Sequence, residues 1–234
     1  MAESVHCESG GPHEVYREGG RSSVFILILL CLTYAFDYTD RMIVASLLPF
    51  IKHDWGLSDQ LLGSLSGVVS LFIALFVLPL SLIVDRWSRR KMVAIMVFFW
   101  SMATIACAFA RNYEELLLAR AFTGIGEAGY APAAIAIIAA SFPRERRAIA
   151  VGIWDAFAPI GAGLGFLIGG YVGLHYGWQH AFGLVGIPGI VLAVLYWFTR
   201  DYRTIPLEAV AAGMKNTAGP LWSSIKHLLD IPTL

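Results

Sequence analysis

Six runs of apolar residues dominate the chain, at 24–50, 58–84, 92–110, 113–141, 148–174 and 178–199. Each is long enough to cross a bilayer as an α-helix, which takes about 20 residues at about 1.5 Å per residue. Short polar connections separate them, so successive helices are expected to run antiparallel. Ser58 stands where it can cap the second helix, just ahead of Asp59. The pattern predicts an all-α membrane protein with six transmembrane helices over residues 23–200. Residues 1–22 are polar, with no basic-then-apolar leader pattern, and read as a disordered tail. Residues 201–234 read as a linker in which Leu221, Trp222, Ile225, Leu228 and Leu229 recur at helical spacing, the mark of a surface-lying amphipathic helix.

Composition sharpens the class. The 234 residues are 57% hydrophobic and only 15% charged, whereas about a quarter of the residues in a soluble domain are charged. Formal net charge is zero, so nothing points to nucleic acid. The three cysteines, Cys7, Cys31 and Cys107, have no metal-ligand spacing and imply no disulfide framework. No cofactor or metal is expected, and no P-loop, Gly-x-Ser-x-Gly, His-Glu-x-x-His or Cys/His cluster supports an enzyme. Thirteen of the 17 Lys and Arg residues fall on one side of the six runs, and only Lys52 and Arg111 on the other. By the positive-inside rule both termini are cytoplasmic, as an even number of crossings requires.

The candidate chemistry lies in charges inside the apolar runs. The fourth run holds Arg120 and Glu127, seven residues apart and so on one helical face, in Arg-Ala-Phe-Thr-Gly-Ile-Gly-Glu-Ala-Gly-Tyr-Ala-Pro. The first holds Asp37, Asp40 and Arg41, whose three- and four-residue spacing also predicts a shared face. At helical rise, Arg120 lies about 10 Å from the outer end of its helix, Asp40 about 16 Å, and Asp37 and Glu127 about 21 Å. Charges of two helices thus meet in one layer. A mid-membrane charge is costly and normally faces a partner or a wet cavity. The structural alternative is a set of ion pairs that only locks helices together, with Asp37 merely hydrogen-bonded.

Small residues mark close packing: Gly63, Ser66, Gly67 and Ser70 in the second run, and Gly161, Gly165 and Gly169 in the fifth. Asp155 is either a second protonatable group or a structural partner of the basic loops. His53, His175 and His180 sit at the outer loops and read as solvated.

Three motifs resemble the major facilitator superfamily. Ser81-Leu82-Ile83-Val84-Asp85-Arg86-Trp87-Ser88-Arg89-Arg90 resembles its Gly-x-x-x-Asp-Arg-x-x-Arg-Arg loop, with Ser81 in place of glycine. Leu117, Arg120, Gly124 and Gly126 match Leu-x-x-Arg-x-x-Gln-Gly-x-Gly, with Thr123 for Gln. Gly152, Gly161, Gly165, Gly169 and Gly170 resemble the antiporter glycine motif, with Phe166 in place of its proline. Within the superfamily, Asp40-Arg41, Arg120 with Gly-Ile-Gly-Glu-Ala, and the 222–232 stretch are most similar to Spinster-type transporters.

The resemblance implies the N-terminal six-helix half of such a transporter, a 3+3 inverted repeat whose C-terminal half is missing here. It implies proton coupling at Asp40 and Glu127, charge pairing or substrate contact at Arg41 and Arg120, and a cytoplasmic gate at Ser81, Asp85, Arg86, Arg89 and Arg90; Asp37, where that group often has an amide, is a further candidate for proton coupling by its depth alone, and its role stays open. Gly63, Gly67, Gly152, Gly161, Gly165 and Gly169 would be helix-packing glycines, with helices two and five facing the missing half. The implied partners are protons, membrane lipids and a lipid-like or amphipathic organic anion, and the implied location is a bacterial inner membrane. The rivals are a symporter of hydrophilic organic anions such as sugar acids, and a six-helix membrane protein that does not transport.

Overall fold

The computed structural model describes residues 21–86 and 89–199. The tail 1–22, but for its last two positions, and the linker 201–234 with its expected amphipathic helix lie outside the described residues. Among the described residues, eight helices make six spans. The first three are α1 (Arg21–Trp55), α2 (Asp59–Arg86) and α3 (Arg89–Cys107). The fourth is α4 (Tyr113–Glu127) followed by α5 (Tyr130–Ser141), and the fifth is α6 (Arg144–Asp155) followed by α7 (Phe157–Tyr176). The sixth is α8 (Trp178–Phe198).

Local chemistry sets the ends. Ser58 Oγ accepts from the Leu61 N–H at 3.4 Å and starts α2. Asn112 caps α4 by accepting from the Glu115 N–H at 2.8 Å, and the Glu115 carboxylate returns to the Arg111 N–H at 2.9 Å. Gly56 (φ +63°) and Gly177 (φ +90°) make the turns after α1 and α7, in backbone conformations that other residues rarely adopt. Runs four and five, expected as single helices, are each broken. Pro132 and Pro159 stand in the first turns of α5 and α7, where a missing N–H and a ring against the carbonyl four residues back interrupt the ladder.

α3 packs on α4 and α1 on α8, and the spans also pack as α1 on α7, α2 on α4, and α3 on α8. Numbered by span, the last three pairs are 1–5, 2–4 and 3–6. Exchanging the first three spans with the last three turns 1–5 into 4–2 and returns 3–6 to itself, the pairing an inverted repeat of three helices produces. Glycines close the related contacts. A Cβ on Gly165 would lie 2.6 Å from the Thr39 carbonyl oxygen of α1, and one on Gly124 would lie 2.6 Å from the Val69 carbonyl oxygen of α2.

This placement corrects one expectation. Gly161, Gly165 and Gly169 do not form a free face for a second half: a Cβ on any of them would collide with α1, at Ala35, Thr39 and Ser46 respectively. The small-residue face of α2 does stand open: no atom of another described helix lies within 4 Å of where a Cβ on Gly63 or Gly67 would sit, and the same holds for Gly152 of α6. The open surface belongs to α2 and to the opposite side of α6 and α7. Only 17% and 22% of the most apolar stretches of these spans is buried, against 44–67% in the other four.

Candidate functional site

Five charged side chains meet at mid-depth between α1 and α4, in two groups. In the first, Arg120 Nη1 donates to Asp40 Oδ2 at 2.8 Å, and Thr104 Oγ1 of α3 donates to Asp40 Oδ1 at 2.9 Å. Both ion-pair side chains are 2% exposed, so this group is sealed inside the bundle. In the second, Arg41 lies between two carboxylates. Its Nη2 is 3.2 Å from Asp37 Oδ1 and 3.1 Å from Glu127 Oε2, and its Nε donates to the same Asp37 oxygen. Asp37 and Glu127 are 3% and 0% exposed, but Arg41 is 31% exposed.

The groups divide where the sequence predicts one face. Asp40 and Arg41 are adjacent and therefore about 100° apart around the helix. Asp40 turns inward to α3 and α4, while Arg41 stays on the open side with Asp37. They form no pair with each other. Likewise Arg120 and Glu127, on one helix, are paired with different residues of α1.

Below the charges, an aromatic cluster joins the two helix breaks. Tyr130, the first residue of α5, donates from its hydroxyl to the Leu30 carbonyl of α1 at 2.6 Å. Trp154, next to the last residue of α6, donates from Nε1 to that hydroxyl at 3.3 Å. Its ring stacks on Tyr34 of α1 at 4.0 Å between centroids. Tyr34 in turn meets Tyr38 edge-on at 5.0 Å, and the Arg41 guanidinium carbon lies 5.5 Å from the Tyr38 ring centroid. Sequence reading missed Thr104 and this cluster. A lone threonine in an apolar helix was the one available sign of the first; the breaks at Pro132 and Pro159 marked the second.

The other expected residues lie elsewhere. Asp155 is exposed at the end of α6 and forms no ion pair among the described residues. His53 and His175 are exposed in the last turns of α1 and α7, and His180 in the first turn of α8. Of the gate residues, Ser81 Oγ donates to the Leu78 carbonyl at 2.8 Å, Arg89 is half-buried and Arg90 buried. The side chains of Asp85 and Arg86, in the last turn of α2, lie outside the described residues. Cys31 and Cys107 are buried free thiols.

A family model described as Major Facilitator Superfamily matches residues 30–232. The chain belongs to this superfamily. It is similar to protein spinster homolog 1 of Xenopus laevis, 34% identical over 225 residues that cover 91% of the chain and 41% of the relative. It is also similar to a gallate transporter of Pseudomonas putida, 28% identical over 89% of the chain and 48% of the relative. Among solved structures it resembles a bacterial homologue of the human lysosomal transporter Spinster in an inward-facing, unoccupied conformation. The TM-score is 0.73 at 29% identity, over 80% of the chain and 47% of that structure. The superfamily member described here is thus a Spinster-like integral membrane protein with six transmembrane helices, and it spans less than half the length of these relatives. Its relatives are transporters rather than enzymes.

Proposed function

We propose that the chain supplies the N-terminal half of a proton-coupled secondary transporter for an amphipathic or lipid-like organic anion. The observation that carries this reading is the second charge group, where one half-open guanidinium is held by two covered carboxylates. With all five groups ionised, the layer has three negative and two positive charges, an imbalance of one that a single proton removes. Uncompensated charge at this depth costs a few kcal/mol or more, so proton uptake and charge pairing are strongly linked here. Protonating Glu127 or Asp37 loosens its hold on Arg41, whose guanidinium then takes the substrate anion. Protonating Asp40 releases Arg120 and loosens α1 from α4. Each step changes which helices are held together, and so biases the balance between inward- and outward-open states.

The same reading places both termini in the cytoplasm of a bacterial cell, with the protein in the inner membrane. Asp85, Arg86, Arg89 and Arg90 then form a cytoplasmic latch that closes on a second six-helix half, and α2 offers that half its open face. The test is uptake of organic acids into proteoliposomes holding the two-half transporter. An imposed pH gradient should drive accumulation, and a protonophore should abolish it. Accumulation indifferent to both would overturn the reading.

A further inference from the structure

We propose that Tyr38 is a specificity-determining residue that favours acids whose carboxylate is attached directly to an aromatic ring. The inference rests on the reading of Arg41 as the group that takes the substrate anion. Of the five charged side chains, Arg41 alone is open, at 31% exposure against 0–3% for the rest. Its Nε and Nη2 are engaged by Asp37 and Glu127, while Nη1 carries no hydrogen bond or ion pair among the described residues. One edge of the guanidinium is therefore available to a carboxylate.

The neighbour of the guanidinium is a ring. Tyr38 lies three residues before Arg41, on the same helical face, with its centroid 5.5 Å from the guanidinium carbon. It is half-buried, so part of the ring remains open beside the arginine. It is also held in place: Tyr34 meets it edge-on at 5.0 Å and 75°, and Tyr34 is itself stacked on Trp154 at 4.0 Å. A ring held in this way binds without first giving up rotamer freedom.

In a benzoate-type acid the ring follows the carboxylate with no flexible atom between. A carboxylate on Nη1 can then hold that ring beside Tyr38, and aromatic pairs at 4.5–7 Å between centroids attract beyond simple area burial. A saturated ring of similar size keeps the carboxylate contact and the apolar contact but lacks the quadrupole. The discrimination expected from one such pair is roughly three- to tenfold in affinity.

The test compares benzoate with cyclohexanecarboxylate, binding to the chain in nanodiscs by NMR titration. The wild-type chain should bind benzoate roughly three to ten times more tightly. Tyr38→Phe should keep that ratio. Tyr38→Leu should bring it to about one while retaining cyclohexanecarboxylate binding, which also shows that the variant is folded. Arg41→Gln should lose both acids. Equal wild-type affinities, with both lost in Arg41→Gln, would overturn the role of Tyr38 and leave the anion reading standing, as would a benzoate preference that survives in Tyr38→Leu. Failure of the wild-type chain to bind either acid would overturn both.

Discussion

Removing Arg120 alone should damage the protein far more than removing Arg120 and Asp40 together. Arg120 and Asp40 are each 1% exposed, and their contact at 2.8 Å is the direct charge link between α1 and α4 in the sealed group. In Arg120→Met the Asp40 carboxylate keeps only the Thr104 hydroxyl, so a buried charge is left nearly uncompensated. Breaking one side of a buried pair costs about 3–5 kcal/mol. Asp40→Leu leaves Arg120 in the same position, at a similar cost. If the two costs were independent, the double variant would lose about 6–10 kcal/mol. With both charges gone, however, the apolar replacements fill the site without desolvating an ion, and the double variant should lose far less than either single one. Thr104→Val, which removes one hydroxyl bond at nearly constant shape, should cost on the order of 1 kcal/mol. The assay is denaturant unfolding of the detergent-solubilised chain, followed by the fluorescence of the buried tryptophans Trp100, Trp154 and Trp178. Additivity of the two single losses, to within about 0.5 kcal/mol, would refute the pairing.

Two further outcomes follow from the packing and the proposed gate. Gly165→Ala should destabilise the chain by about 1–3 kcal/mol, since its Cβ would meet the Thr39 carbonyl of α1, whereas Gly63→Ala and Gly67→Ala should be neutral or stabilising by up to about 1 kcal/mol. The same unfolding midpoints check both, and Gly67→Leu should in addition weaken capture of a separately expressed second half, because the small-residue face of α2 is the one that stands open. Asp85→Asn in the two-half transporter should increase labelling, from the cytoplasmic side, of a cysteine placed in the inward-facing cavity; unchanged labelling of a correctly inserted protein would exclude the latch.

The six spans were legible because a bilayer demands long apolar runs, and each run became a span. Their edges were less so. By hydropathy the fifth run starts near Ala148, but helix α6 begins at Arg144, since backbone hydrogen bonding continues into the polar boundary where side-chain hydropathy has already changed. Pro132 and Pro159 broke runs that hydropathy alone joined. The depth of the charges could be counted from helical rise, and this was enough to predict one layer. Their partners could not, because spacing along one helix says which side chains share a face but not which neighbouring helix that face meets. Hence Asp40 is paired with Arg120, 80 positions away, rather than with adjacent Arg41. The glycines of α7 were misplaced for the same reason: a small-residue stripe signals a close approach without naming the helix that approaches.

The most direct test of proton coupling through the Arg41 group sets two fluxes side by side in proteoliposomes of the two-half transporter, pH-driven accumulation and substrate counterflow at equal pH. Glu127→Gln keeps a neutral, uncharged partner at the position that contacts Arg41. It should therefore abolish accumulation driven by the pH gradient while leaving counterflow measurable, and Arg41→Gln should lose both. A Glu127→Gln transporter that accumulates substrate with wild-type pH dependence would contradict coupling at this site.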